Sequence, residues 1–192
     1  MRKLILLMHA SLDGFVAGPN GEMDWIKVDD ELFEFVGHLT DQADTALYGR
    51  VTYQMMDSYW PTAGKKPNAS KHDIQHAQWY QDVLKVVISS SMKGKSIART
   101  QIVSGDILGQ VQDLKQKPGK NILMLGSPTA SHALMELGLI DEYRLFINPV
   151  ILGEGIPLFK SIKARIALKR VDTKNFSSGV TGLHYEKVTR HK

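Results

Sequence analysis

The sequence has no cysteine among its 192 residues. This absence excludes a disulfide framework, a thiolate nucleophile and a zinc site built on cysteine. Long apolar runs are lacking as well. The run near the start, 4–8, is far below the roughly 18–20 residues of a transmembrane helix and is short for the core of a signal peptide. We therefore expect a soluble, cytoplasmic protein with no membrane partner.

Aromatic residues and excess charge are also scarce. Aromatic side chains make up 8% of the chain, and the formal net charge is only +4. The basic residues form no stripe with interleaved aromatic residues, so we expect no nucleic-acid partner. The length and a hydrophobic fraction of 43% fit one globular domain over 1–192, and we find no internal repeat and no linker.

Several catalytic signatures are missing from the sequence. It contains neither the Gly-x-Ser-x-Gly elbow of many hydrolases nor the Gly-x-Gly-x-x-Gly fingerprint of a Rossmann dinucleotide site. His72 and His76 are the only histidines spaced four apart, and they lack the carboxylate pattern of a His-Glu-x-x-His site. We predict no metal site.

Apolar periodicity predicts eight strands and several helices. The strands are expected at 3–9, 45–48, 83–89, 101–103, 121–125, 142–149, 167–176 and 181–188. Helices are expected at 29–40, 106–116 and 127–137, and another should begin after Gly49. The polar segment 61–73 is expected to be a mobile excursion near the mouth of a site.

The order of these elements predicts the fold class. Strands alternate with helices as far as residue 140, which favours parallel pairing through βαβ units. After residue 140 strands follow one another, which favours antiparallel strands added to one side. We predict a single α/β domain with a mixed, mostly parallel sheet of about eight strands flanked by helices.

The stretch 46–56, ALYGRVTYQMM, contains a possible anion site. Gly49 suits a tight strand-to-helix turn, which places Arg50 and Thr52 in the first helical turn. A basic residue is unfavourable there because the start of a helix already carries partial positive charge. A bound anion would remove this conflict. The alternative is an ordinary surface arginine.

A second strand-to-helix turn occurs at Gly126-Ser127. The N–H groups of 127–130 could face an anion, although Ser127 could instead be a simple N-cap followed by Pro128. The serines at 89–91 end another strand and could add hydroxyl groups, or could only form a turn. Two such turns in one small domain favour a ligand with several phosphates.

Five segments, taken in order, resemble the dihydrofolate-reductase-like superfamily. They are ASLDGFVAGPNGEMDW, LYGRVTYQMM, VISSS, ILMLGSPTASHALMELGLIDEY and NPVILGEGIPLF. The branch that the chain most resembles is the reductase domain of the bifunctional riboflavin-biosynthesis deaminase/reductase and its stand-alone relatives. The resemblance covers nearly the whole chain.

This resemblance implies NADPH-dependent hydride transfer to a pterin-, pyrimidine- or flavin-like heterocycle, as in dihydrofolate reductase and 5-amino-6-(5-phosphoribosylamino)uracil reductase. It assigns the cofactor to three groups of residues, with Arg50 at the 2′-phosphate. The residues expected to bind the phosphates and the adenosine are Gly49, Arg50, Thr52, Ser89 and Ser90. Those expected to bind the pyrophosphate are Gly126, Ser127, Thr129 and Ala130. Those expected to form a backbone shelf beside the nicotinamide are Ala10, Val16 and Ala17.

The resemblance also implies where the substrate binds. It would lie against Trp25 and Phe33, with Asp13 and Glu154 as the candidate catalytic carboxyl groups. The chain lacks the zinc deaminase elements of the bifunctional proteins, and it has Phe15 where riboflavin-pathway reductases tend to carry a basic residue. The relatives suggest a homodimer. The alternative function is a non-catalytic nucleotide-binding homodimer that keeps the fold.

Overall fold

A computed structural model describes residues 1–188 of the chain. Ten strands and five helices are present in this range: β1 (Leu4–Ser11), β2 (Phe15–Ala17), α1 (Asp30–Asp41), β3 (Ala43–Gly49), α2 (Arg50–Ala63), α3 (Lys71–Asp82), β4 (Leu84–Ile88), β5 (Thr100–Val103), α4 (Ile107–Gln116), β6 (Asn121–Leu125), α5 (Pro128–Glu136), β7 (Glu142–Asn148), β8 (Ile156–Pro157), β9 (Leu168–Asn175) and β10 (Thr181–Lys187).

Eight of the strands form one sheet in the order β5-β4-β3-β6-β1-β7-β10-β9. The first six in this order pair in parallel, and β10 is antiparallel to both β7 and β9. The predicted fold class is therefore confirmed. One detail differs from expectation, because β7 follows residue 140 and still pairs in parallel with β1.

Both faces of the sheet are covered by helices. On one face, α4 and α5 pack through Val111, Leu114 and Leu134 onto alternate residues of the central strands. On the other face, α1 contributes Leu32 and Val36, and α2 and α3 contribute tyrosines to a second core. The central strands are buried on both sides, which explains why β1 reads as a nearly continuous apolar run.

The region 61–73 differs from the prediction. The helix α2 continues through Pro61 to Ala63, and α3 begins at Lys71, so only the residues between them form a loop. The helix α3 is absent from the sequence prediction because its buried side consists of His76, Ala77 and Tyr80, a weak apolar pattern. Its start did have a signal, since Ser70 and Asp73 form a capping box.

Two short strands were also not anticipated. β2 and β8 form a separate antiparallel pair in which Phe15 lies opposite Pro157 and Ala17 opposite Ile156. Strands of three and two residues are too short to show a clear alternation. Among the described residues, no helix combines the length and the hydropathy needed to cross a membrane.

A cluster of potential metal ligands lies at the amino-terminal edge of β7. Glu142, His184 and Glu186 bring ligand atoms within 4.8 Å of one another. The Lys3 ammonium donates to Glu142 Oε1 at 2.5 Å and to Glu186 Oε1 at 3.0 Å. This lysine already supplies the positive charge that the carboxylates need, so an ion-pair network accounts for the cluster.

Candidate functional site

The loops that follow the six parallel strands lie at one edge of the sheet. Because β3 and β6 are adjacent, the turn after Gly49 and the turn after Leu125 are neighbours in space. In open α/β sheets, ligands bind in the crevice outside the carboxyl ends of the strands, where neighbouring connections diverge. This edge is the candidate functional site.

A hydrogen bond joins the two predicted phosphate turns. The N–H of Gly49 donates to Ser127 Oγ at 2.9 Å, although the two residues are 78 positions apart. Ser127 is buried and adopts a left-handed conformation with φ of 65°. It does occupy the N-cap position of α5 with Pro128 next, but its hydroxyl binds the other turn and makes no capping bond to α5.

Both helices that begin at these turns have uncapped starts. Gly49, at the N-cap of α2, has no side chain with which to cap, and the first turn of α2 contains no acidic residue. The first turn of α5 also lacks acidic residues. Early N–H groups of a helix have no partner within the helix and lie at its positive end. Two such ends beside one another form an electropositive cradle.

Two glycines allow these helix starts to approach closely. A Cβ atom on Gly49 would lie 3.3 Å from Cβ of Ala130, which is tighter than most real contacts. A Cβ on Gly126, whose φ is 64°, would lie 3.6 Å from Cγ2 of Thr52. The structure therefore brings together four of the residues that were predicted to bind the cofactor, namely Gly49, Thr52, Gly126 and Ala130.

Loss of the Ser127 hydroxyl is expected to loosen this junction. Ser127→Ala keeps the left-handed backbone strain but removes the acceptor of the Gly49 N–H, so the free energy of unfolding should fall by about 1 kcal/mol. Urea unfolding measures this change. Ser58→Ala is the matched control, because the Ser58 hydroxyl bonds only within an exposed part of α2. Equal stability of Ser127→Ala and wild type would contradict the assigned role.

Arg50 lies at the rim of the cradle. It is exposed, and its Nη1 donates to Gln54 Oε1 one helical turn later at 2.9 Å. This neutral partner orients the guanidinium without neutralising its charge. Thr129, in the first turn of α5, is exposed as well.

The predicted serines lie one strand further along the same edge. Ser89 follows β4 directly, and its N–H donates to the carbonyl of Val103 at 3.0 Å. Its hydroxyl lies 3.2 Å from that of Ser91. Ser90 is exposed, and its carbonyl closes a turn by accepting from Lys93 N–H at 3.2 Å. Ser90 therefore forms a turn and is also exposed, so both interpretations of these serines remain compatible with the structure.

On the β7 side of β1, the carboxylate of Asp13 links the loop after β1 to the loop after β7. This carboxylate accepts from the hydroxyl of Ser11 at 2.7 Å and from the N–H groups of Leu152 and Gly153 at 3.1 and 2.8 Å. The Ser11 hydroxyl, followed by these backbone N–H groups, lowers the pKa of Asp13. A carboxyl group in this arrangement is ionised at neutral pH and holds the loop after β7.

The loop after β7 also fits closely against β2. Gly155 adopts φ of 154°, and a Cβ atom there would lie 2.2 Å from the carbonyl oxygen of Ala17. Val16 and Ala17 are buried, whereas Glu154, the residue before Gly155, is exposed. His132 of α5 fastens the far end of the loop, since its Nε2 lies 3.0 Å from the carbonyl oxygen of Leu158.

The two predicted substrate residues lie in different settings. Trp25 is partly exposed in the loop after β2, and its Nε1 donates to the carbonyl of Glu22 at 3.1 Å. Phe33 of α1 stacks on His72 of α3, with ring centroids 3.9 Å apart. Its ring is therefore engaged by α3, which the sequence had not predicted.

Two residues at this edge were missed by the sequence prediction. Asn148, the last residue of β7, is fully buried and contacts β1 and the segment before α1. His9 of β1 packs beside it, with its ring centroid 5.0 Å from that of Phe146. A polar residue at the end of an apolar strand was the available signal, but it does not by itself separate a site from a turn.

The family model described as RibD C-terminal domain matches residues 2–181. Among curated proteins, the uncharacterized protein YyaP of Bacillus subtilis (strain 168) is 38% identical over 186 residues, which cover 96% of this chain and 94% of that protein.

Solved structures share the fold at low identity. A candidate riboflavin biosynthesis protein from Shewanella sp. PV-4 matches with a TM-score of 0.73 and 22% identity, over 97% of this chain and 99% of that one. The deaminase/5-amino-6-(5-phosphoribosylamino)uracil reductase of Thermotoga maritima matches with a TM-score of 0.68 and 15% identity, over 97% of this chain and 57% of that one. Enterococcus faecalis dihydrofolate reductase, complexed with NADP(H), gives 0.63 and 14%, over 96% of each chain.

Proposed function

Because this chain belongs to the RibD C-terminal domain family, we propose that it is an NADPH-dependent oxidoreductase. Its substrate is a pterin-, pyrimidine- or flavin-like heterocycle. The family and the fold are those of reductases, as the names of the structural neighbours from Thermotoga maritima and Enterococcus faecalis indicate for those proteins.

The observation that carries the proposal is the hydrogen bond from Gly49 N–H to Ser127 Oγ. It holds two uncapped helix starts side by side, and each start presents N–H donors and a positive dipole end to one crevice. A dinucleotide carries its negative charge on several linked phosphates, so a double cradle fits it better than a single anion.

The residues around the cradle suit the different parts of NADPH. Gly126, Ser127, Thr129 and Ala130 would hold the pyrophosphate, and Gly49 and Thr52 would face it from α2. Arg50, on the exposed rim, would bind the 2′-phosphate, with Ser89 and Ser90 beside the adenosine. The close approach at Gly49 supports this fit, because a Cβ atom there would press against Ala130, and the left-handed backbone of Gly126 suits glycine.

NADPH supplies the hydride when it is bound, and the protein must align the donor and acceptor carbons and exclude water. The backbone of Ala10, Val16 and Ala17 would form the shelf beside the nicotinamide. Two contacts with the loop after β7 keep this shelf in place: Gly155 against Ala17, and Asp13 on the N–H of Gly153.

The two carboxyl groups predicted to be catalytic have different settings. Asp13 accepts three hydrogen bonds, which favour its ionised form, and therefore it acts in this proposal as a loop anchor. Glu154 is exposed at the tip of the loop that Asp13 anchors. Glu154, or a water molecule that it positions, is then the proton source near the substrate, with Trp25 and Phe33 as apolar walls.

Titration of the purified protein with NADPH and with NADH tests the proposal. We expect saturable quenching of tryptophan fluorescence by NADPH and weaker binding of NADH. Absence of binding for both would refute the proposed function. Binding of NADPH without oxidation in the presence of pterin, pyrimidine and flavin compounds would favour the non-catalytic alternative.

We also propose that the protein forms a homodimer. The apolar stretch around β7, which could have served an interface, is used for the core, since Tyr143, Leu145 and Phe146 are buried within the single chain. The strand β9 offers another surface, because it is the edge of the sheet and is exposed along most of its length. Sedimentation velocity of the purified protein measures the oligomeric state directly.

A further inference from the structure

His9 lies in the last part of β1, beyond the residues that pair with β6. The strand β1 pairs with β6 from Leu4 to Leu7, and the Gly126 N–H then donates to the Leu7 carbonyl at 3.1 Å. In the register of the described residues, the last part of β1 pairs with β7 alone. On the β6 side, no strand residue within 1–188 pairs with His9, and the Gly126-Ser127 turn lies on that side.

The side chain of His9 is on the α1 face of the sheet. Ile5 and Leu7 belong to the core that α1 covers, and side chains two residues apart along a strand share a face. The His9 ring packs on Phe146, which belongs to the same core. The imidazole thus lies at the floor of the crevice between α1 and the end of β1.

The amide of Asn148 has only one reasonable orientation. Its Oδ1 accepts from the N–H of Lys27 at 2.8 Å, and its Nδ2 faces the carbonyl oxygens of Phe146 and Ala10 at 3.1 and 3.4 Å. A flipped amide would place its oxygen against two carbonyl oxygens and its NH₂ against an N–H. The group that faces His9 is therefore the NH₂ donor.

This orientation fixes the tautomer of His9. Asn148 Nδ2 lies 3.3 Å from His9 Nδ1, and a proton on Nδ1 would point at this NH₂ donor, so Nδ1 carries no proton and shares one NH₂ hydrogen with the Ala10 carbonyl. Burial lowers the pKa of His9 from its ordinary 6.5 to about 4, which keeps the ring neutral at physiological pH. A neutral ring without a proton on Nδ1 must carry it on Nε2.

Within the described residues, the Nε2–H group is an unpartnered donor that solvent reaches. Among residues 1–188 it has no hydrogen-bond partner, yet it is not one of the fully buried unpartnered polar atoms of that range, which are Tyr48 Oη, Arg144 Nε and Ser178 Oγ. Solvent therefore reaches this donor, although most of the ring is covered.

We propose that His9 Nε2–H donates a hydrogen bond to a ring carbonyl oxygen of the bound heterocycle. This inference rests on the proposed function and names the class of substrate: oxo-substituted pyrimidine or pteridine rings are preferred to their amino-substituted counterparts. A neutral imidazole held in one tautomer can polarise a carbonyl without giving up its proton. The Asn148 amide is the positioning group that selects this tautomer.

The tautomer can be measured on the cofactor-free protein without a variant. In ¹⁵N-labelled protein at pH 7, we expect His9 to show a protonated Nε2 and an unprotonated Nδ1, with assignment by loss of the signals in His9→Gln. A protonated Nδ1, or a ring charged at pH 7, would overturn the proposal.

Two matched probes test the substrate class. The protein, first cofactor-free and then saturated with NADP⁺, is titrated with 2,4-dioxopteridine and with 2,4-diaminopteridine, which share one ring system. We expect the dioxo compound to bind about tenfold more tightly, the effect of about one hydrogen bond. We also expect it to shift the His9 Nε2–H signal. His9→Ala should abolish this preference and change NADPH affinity by less than twofold.

His38→Ala is the control variant, because His38 is an exposed histidine of α1. The proposal is overturned if 2,4-dioxopteridine does not bind, if wild type binds both probes equally, or if His9→Ala keeps the preference. These results leave the proposed function intact as long as NADPH still binds. Loss of NADPH binding with a normal His9 result would instead refute the reductase assignment alone.

Discussion

Arg50→Ala is expected to bind NADPH roughly 10- to 100-fold more weakly than wild type, while its affinity for NADH changes less than twofold. The guanidinium lies exposed at the start of α2, and within residues 1–188 its partner is the neutral Gln54, so its charge remains available to a phosphate. A hydrogen bond between charged groups contributes about 1.5–3 kcal/mol, and NADH lacks the phosphate that would receive it. Fluorescence titration at one fixed ionic strength measures both affinities.

Lys71→Ala is the matched control for this prediction. Lys71 is also an exposed basic residue at the first position of a helix, but the start of this helix, α3, is capped by the Ser70 hydroxyl and carries Asp73 in its first turn, so its positive end is already compensated. Its replacement should leave both affinities unchanged. If Arg50→Ala lost NADPH and NADH affinity equally, Arg50 would not bind the 2′-phosphate and would act on the shared part of the cofactor.

The stability of the protein is expected to fall steeply between pH 6.5 and pH 4. Burial lowers the pKa of His9 to about 4 and, together with the neighbouring His72, lowers that of His76 to about 3, from an ordinary value of 6.5. The unfolded chain therefore binds more protons than the folded one across this window. The stabilising effect of the two neutral histidines is complete above pH 6.5. It is lost as the pH falls, by on the order of 3 kcal/mol for each histidine at pH 4.

Urea unfolding between pH 4 and pH 7.5 measures this dependence. His76→Phe should remove about half of the slope, because an aromatic ring that does not titrate can pack between Trp60 and Trp79 in place of the imidazole. A free energy of unfolding that stays constant from pH 6.5 to pH 4 would show that these histidines are not buried in the neutral form.

The arrangement of the sheet was largely predictable because burial on both faces leaves a direct record in the sequence. β1 and β6 read as continuous apolar runs, and both lie at the centre of the sheet. Helix α3 was not predictable from periodicity, since its buried face uses His76 and Tyr80, residue types that are as common on surfaces. Its capping box at Ser70 was a local signal that the apolar pattern did not support.

The residues of the candidate site differ in how far their arrangement could be predicted from the sequence. Gly126 was predictable because a strand-to-helix turn restricts the backbone locally, and its φ is 64°. Gly49 has an extended backbone with φ of −82°, and its lack of a Cβ matters for the contact with Ala130. The partner of Ser127 was not predictable, because its hydroxyl could have capped its own helix and instead binds a turn 78 residues away. Local chemistry allowed both arrangements, and only the adjacency of β3 and β6 selected one of them.

The sequence by itself therefore determined the eight strands of the main sheet, four of the five helices, the family and the two strand-to-helix turns, since each depends on residues close together in the chain or on burial of whole elements. Only the tertiary structure decided how Asp13 is used, which way the Asn148 amide points and which nitrogen of His9 carries the proton. These properties depend on hydrogen bonds between residues more than a hundred positions apart, and the direction of such a bond leaves no pattern in the sequence.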